Sequence, residues 1–147
     1  MNSFEREEII RLFDDSTETK VGFFVMGGMF SEGVDFIGDR LSGVLIVGVA
    51  IPQINYLNEL LKKHFDEKFS EGFEYAYTYP GFNKVLQAAG RVIRSASDKG
   101  VVIIADKRIT NNNYLSMLPE HWSHFKRINK GIELKNELRL FWDNNKM

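Results

Sequence analysis

Three short apolar runs constrain this chain most: KVGFFVMGG at 20–28, GVLIVGVA at 43–50 and GVVIIAD at 100–106. They are branched or aromatic along their length, and glycine or proline ends the first two. Runs of this kind read as strands buried on both faces, the environment of a parallel sheet. Between the second and third lie a helix at about 53–69, EYAYTYP at 74–80 with room for a short strand, and a helix around QAAGRVIRS at 87–95. Strand and helix alternate, so an α/β layered fold is the economical solution. Ahead of the first run, Ile9, Ile10, Leu12 and Phe13 mark an amphipathic helix over 4–13. Behind the third, Trp122, Phe125, Ile128, Ile132, Leu134, Leu138 and Trp142 are spaced as helical segments expected to pack on the body. With no repeat, low-complexity segment or linker, 147 residues read as one domain spanning 1–147.

Composition removes several classes of function. The chain has no cysteine, which excludes disulfides, thiolate zinc sites and an iron–sulfur cluster held by these residues. A formal net charge of −1 argues against a strong autonomous grip on nucleic acid, so any such contact is local or shared with other domains. No apolar run reaches membrane-spanning length and the N-terminus is acidic, which makes a cytoplasmic location, with no membrane partner, the default expectation. The chain contains no G-x-x-x-x-G-K-[ST], G-x-S-x-G, H-E-x-x-H or G-x-G-x-x-G. The main phosphate cradle, the hydrolase elbow, the zinc-protease helix and the dinucleotide fingerprint are all missing.

Two constellations could carry chemistry. In 82–95, Val85, Ala89 and Val92 form one apolar row and Leu86 and Ile93 another, while Gln87, Arg91 and Arg94 share the remaining helical face. A solvated polar face is the ordinary fate of such arginines. Against it, no Asp or Glu occurs between Phe82 and Ala96, so neither arginine has an acid one turn away. Gly90, read as mid-helix, would cost roughly 1 kcal/mol against alanine, which points to a close approach at that backbone. Forked donors of permanent charge suit a polyphosphate. The second constellation is GGMFSEGVDFIGD at 27–39, a glycine-rich segment with Glu32, Asp35 and Asp39 but no lysine. Following a strand, it would lie at the sheet's carboxyl end, where open α/β sheets bind ligands, although a long solvated turn reads equally well. His121 and His124 have metal-like spacing but no third ligand nearby, and Asp106 with Arg108 reads as a turn-stabilising pair.

FSEGVDF at 30–36 resembles motif V, and QAAGRVIR at 87–94 resembles motif VI, of superfamily-two helicases of the DinG and XPD type. The same order of punctuation recurs in Gly38 and Asp39, Asp98 and Gly100, Asp106 and Arg108, Tyr114, and Leu118 with Pro119. The resemblance implies the second of two RecA-like motor domains, a three-layer α/β/α fold with a mostly parallel sheet. The first strand or strands of that domain, and motif IV, are expected to be missing ahead of Asn2, the chain being part of a longer protein. By resemblance, Arg94 and Arg91 are arginine fingers that reach across an interdomain cleft to ATP, with Gln87 on the same face. Asp35 and Gly33 would touch the nucleotide side, and Ser31 and Glu32 would lie near single-stranded DNA. ATP and Mg2+ would be held mainly by the first motor domain of the same polypeptide, which in many members also carries an iron–sulfur insertion. The chain alone is expected to be inactive. Two departures stand out: Ala50 where the family usually has proline, and Met29 where many members carry lysine.

Two other readings stay open on the residues alone. One is a non-catalytic RecA-like module that binds nucleic acid or protein. The other is a small-molecule enzyme on a doubly wound sheet, which would need a substrate-sized pocket remote from Arg94. Oligomeric state is not legible in the sequence.

Overall fold

The computed structural model describes residues 3–14, 18–28, 41–93 and 98–145. They fall into two compact units, Met1–Asp106 and Lys107–Met147.

The first unit contains helix α1 (Ser3–Asp14), strand β1 (Gly43–Val47), helix α2 (Tyr56–Phe69), a π-helical turn (Glu74–Thr78), helix α3 (Tyr79–Ala89) and strand β2 (Val101–Ala105). β1 and β2 pair in parallel, in register from Gly43 with Val101 to Val47 with Ala105. Parallel neighbours need a crossover, and α2, the π turn and α3 supply it. The α/β class with a parallel sheet is therefore present. Two details of the sequence reading are corrected. β1 buries Ile46 but leaves Leu45 and Val47 61% and 73% exposed, so its burial is one-sided among the described residues. And 20–28 forms no ladder: β1 pairs with β2 alone among the described residues, while Phe24 turns toward Phe13 of α1, ring centroids 6.4 Å apart. An apolar run specifies burial; it does not name a hydrogen-bonding neighbour, and without one a strand does not form.

The helix expected at about 53–69 is α2. Asn55 caps it, its side chain accepting the Asn58 N–H at 2.9 Å, an arrangement worth about 1 kcal/mol. Ser70, with φ 58°, turns the chain out of the helix while its N–H bonds the Asp66 carbonyl. The Gly72 N–H then donates to the Asp66 carboxylate at 2.7 Å, and the chain winds back as a helix. EYAYTYP is accordingly helical and not a strand. Its tyrosines recur every second residue, which mimics a strand, but in the helical hairpin each finds its own cover. Tyr75 stacks on both Phe65 and Phe69, at 4.5 and 5.6 Å, and Tyr77 stacks on Phe73 at 5.2 Å. Such ring pairs add about 0.5–1.5 kcal/mol each beyond burial. The π turn precedes Pro80, which has no N–H to give; the Tyr79 N–H reaches back five residues to the Glu74 carbonyl, and the wider turn lets the helix continue through the proline.

The core of this unit is Ile46, Val49, Ala76, Tyr77, Phe82, Val85, Ala89 and Val92. The predicted apolar row Val85, Ala89 and Val92 is thus buried. α3 lies on β1 through Gly81: a Cβ there would stand 2.7 Å from the Val49 carbonyl oxygen and 3.0 Å from that of Ala50.

In the second unit, 3₁₀ turns at Lys107–Thr110 and Glu120–Trp122 flank a short helix, α4 (Asn112–Leu115), and α5 (Gly131–Asn144) follows. Of the helical segments expected from the tail, the one carrying Ile132, Leu134, Leu138 and Trp142 forms as α5, whereas Phe125 and Ile128 lie in non-helical chain between Trp122 and α5. Tyr114 is buried. The Lys126–Glu137 ion pair, 2.5 Å, is solvent-exposed and contributes at most about 1 kcal/mol. Among the described residues no helix is long and apolar enough to cross a membrane.

Candidate functional site

The amphipathic helix that carries Gln87 ends earlier than its pattern suggests. α3 stops at Ala89, and Gly90 is its C-cap with φ −64° and ψ −9°. The Arg91 and Val92 N–H groups bond carbonyls three residues back, at 3.3 and 3.1 Å, so the chain tightens into a 3₁₀-like turn. This corrects the reading of Gly90 as a mid-helix residue at a close approach. A Cβ at Gly90 would meet the Leu86 and Gln87 carbonyls, 3.2 and 3.7 Å away, and, among the described residues, no other element. Within α3, the glycine that backbone of another segment approaches is Gly81.

Gln87 is exposed on the last turn of α3, and Arg91 follows, half-buried, just past the cap. Buried Ala89 and Val92 hold the segment between and beside them. Arg94, Gly33, Asp35, Ser31 and Glu32 lie outside the described residues.

The direction of α3 decides which end of the sheet these donors occupy. Gly81 near its start abuts Val49 and Ala50, just beyond the carboxyl end of β1. At the other end, a Cβ on Gly100 would meet Val92 Cγ1 and, at 3.2 Å, the Ser42 carbonyl, so Val92 sits where both strands begin. Gln87 and Arg91 are therefore carried toward the amino end of the sheet. That is opposite to the crevice in which open α/β sheets bind their own ligands. The carboxyl-end placement expected for 27–39 rested on a strand at 20–28, and that strand is not formed.

At the start of the glycine-rich segment, the Gly28 N–H bonds the Val25 carbonyl at 3.0 Å, and Gly27 takes φ 79°, as the third residue of a type II turn requires. Lys84 of α3 lies across it: a Cβ at Gly27 would stand 2.9 Å from Lys84 Nζ and 3.6 Å from both Cδ and Cε. Sequence reasoning passed over this lysine. Its signal was its position, three residues before Gln87 on the same helical face.

The carboxyl end of β1 has features of its own. Gly48 and Ala50 have φ 92° and 50°, and the second value is closed to proline. An open cavity of about 380 Å³ is lined by Ile51, Ile54, Glu59, Lys62, Phe73 and Tyr77. Its acidic group is engaged: the Tyr77 hydroxyl donates to Glu59 Oε1 at 2.6 Å. That hydrogen bond, with burial and the carboxylate charge behind it, pushes the Tyr77 phenol from 10.0 up to about 12. A raised phenol pKa stabilises the fold fully below pH 10 and is lost as pH rises through about 12. Glu59→Gln is expected to bring the Tyr77 transition back toward its ordinary range, read by ultraviolet absorbance during an alkaline titration; an unmoved transition would contradict the pairing. Among the described residues no three His, Asp or Glu side chains converge to hold a cation.

Comparison with known proteins bears on the same residues. The family described as Helicase C-terminal domain matches residues 2–125. The chain is 35% identical over 103 residues to the general transcription and DNA repair factor IIH helicase subunit XPD of Arabidopsis thaliana, covering 67% of this chain and 13% of that protein. It is 30% identical over 103 residues to the ATP-dependent DNA helicase DinG of Photobacterium profundum, covering 69% and 15%. To the 3'-5' exonuclease DinG of Staphylococcus epidermidis it is 29% identical over 111 residues, covering 74% and 12%.

Proposed function

The chain belongs to the helicase C-terminal domain family, and we propose that it works as the second motor half of an ATP-dependent DNA helicase, supplying arginine fingers to ATP held by a first motor domain. The observation that carries this reading is the placement of Gln87, on the last turn of α3, and Arg91, just past its cap, toward the amino end of the sheet. Donors aimed away from the domain's own crevice suit an anion that another domain brings. The relatives named as ATP-dependent DNA helicase DinG and as a helicase subunit support ATP as that anion.

In this reading Arg94 and Arg91 donate N–H groups to γ-phosphoryl oxygens when the cleft between the two motor domains closes. Their charge does not titrate near neutral pH, and the guanidinium fork matches two phosphate oxygens at once. Gln87, one turn earlier, bonds the same phosphate or its attacking water. Asp35 and Gly33 link that site to the DNA track, where Ser31 and Glu32 meet the single strand. Mg2+, held by the first motor domain, would neutralise phosphate charge. The chain acts as one motor domain, and alone it turns over no ATP because it lacks the phosphate cradle.

The test is ATP hydrolysis by the protein that joins this chain to its first motor domain, with and without single-stranded DNA. Stimulation by the strand, and no hydrolysis by the 147-residue chain alone, are expected. DNA binding without any turnover in the joined protein would favour the non-catalytic module.

A further inference from the structure

We propose that Lys84 supplies a phosphate-binding cation at the entry of the glycine-rich segment, an assignment that rests on the helicase reading for the source of its phosphate. From Gly27 to Asp39 the segment holds three carboxylates and no lysine or arginine. The fold brings one in from α3.

Three features of the geometry point to a ligand contact. Lys84 is half-buried with its stem along Gly27, and its ammonium ends against a residue whose φ of 79° and missing Cβ leave room for it. The side chain is launched from a rigid base, since Gly81, Phe82 and Val85 around it are buried. Among the described residues no carboxylate pairs with it. An ammonium held against backbone, with no carboxylate on it among the described residues, is a site for an external anion. Lys84 precedes Gln87 by three residues, about 4.5 Å along the helix axis, so it extends the donor row of α3 toward Gly27. The anion is a phosphate oxygen, from either the DNA backbone or the nucleotide.

Lys84→Gln and Lys84→Arg in the protein joined to its first motor domain test the site with three measurements. The first is oligo-dT affinity across salt concentrations. Loss of one strand phosphate should flatten the log–log slope by about 0.7, so that the gap between Lys84→Gln and wild type narrows about 2- to 3-fold from 50 to 200 mM salt. The second is the KM for ATP at saturating DNA, which rises instead if the phosphate is the nucleotide's. The third is the rise in Tm on adding pyrophosphate, which should be smaller in Lys84→Gln whichever source applies. Lys84→Arg should keep the wild-type response in each. Either of the first two changes supports the site and identifies its phosphate. Lys84→Gln matching wild type in all three, or lowering only the ligand-free Tm, overturns it. If the wild-type protein neither binds DNA nor hydrolyses ATP, the helicase reading fails separately, and the pyrophosphate shift alone decides the role of Lys84.

Discussion

Replacing Arg94 by alanine in the protein that joins this chain to its first motor domain is expected to lower DNA-stimulated ATP turnover by about 10³- to 10⁵-fold. That corresponds to roughly 4–7 kcal/mol of transition-state stabilisation. The loss should fall on kcat, because a finger that arrives with cleft closure meets charge that develops only as the phosphoryl group transfers. Arg91→Ala should act in the same direction. Arg94→Lys should not rescue, since a point ammonium cannot reproduce a planar fork on two oxygens. DNA affinity should change little in these variants, which separates them from Lys84→Gln if the phosphate at Lys84 is the strand's. Turnover near the wild-type level in Arg94→Ala would end the arginine-finger reading while leaving the family membership intact.

The parts of this fold that were legible in sequence are those decided by local pattern. Asn55 ahead of an apolar-periodic stretch caps α2, the branched runs at 43–47 and 101–105 pair, and Val85, Ala89 and Val92 are buried as their spacing demands. What escaped was decided by partners distant in sequence. Tyr75 and Tyr77 look like strand residues until Phe65, Phe69 and Phe73 are seen to cover both. The run at 20–28 looks like a strand, yet among the described residues it acquires no ladder neighbour. In the site, Gln87 and Arg91 were found from spacing and from a sequence window, 82–96, that holds no Asp or Glu, whereas Lys84 needed Gly27, 57 positions away, to give it meaning. The orientation of α3, which puts the donors at the amino end, depends on which strand end receives Gly81. No periodicity encodes that.

A pair of glycine substitutions separates the two accounts of α3. Gly81→Ala is expected to destabilise the fold by about 1–3 kcal/mol, because backbone cannot yield as a flexible side chain would. The new methyl would stand 2.7 Å from the Val49 carbonyl oxygen and 3.0 Å from that of Ala50. Relief requires α3 to lift from β1, which would also loosen Phe82 and Val85, each 1% exposed or less. Gly90→Ala should behave differently. Its φ of −64° is open to any L-residue, and among the described residues the new methyl meets only the carbonyls of its own helix, so stability should stay within about 1 kcal/mol of wild type, the propensity of alanine offsetting the 3.2 Å contact with Leu86. Thermal unfolding of the two variants followed by circular dichroism measures both. A Gly90→Ala protein less stable than Gly81→Ala would mean that the close approach lies at Gly90 after all. α3 would then run on past Ala89, and the donor row would have to be redrawn on an unbroken helix.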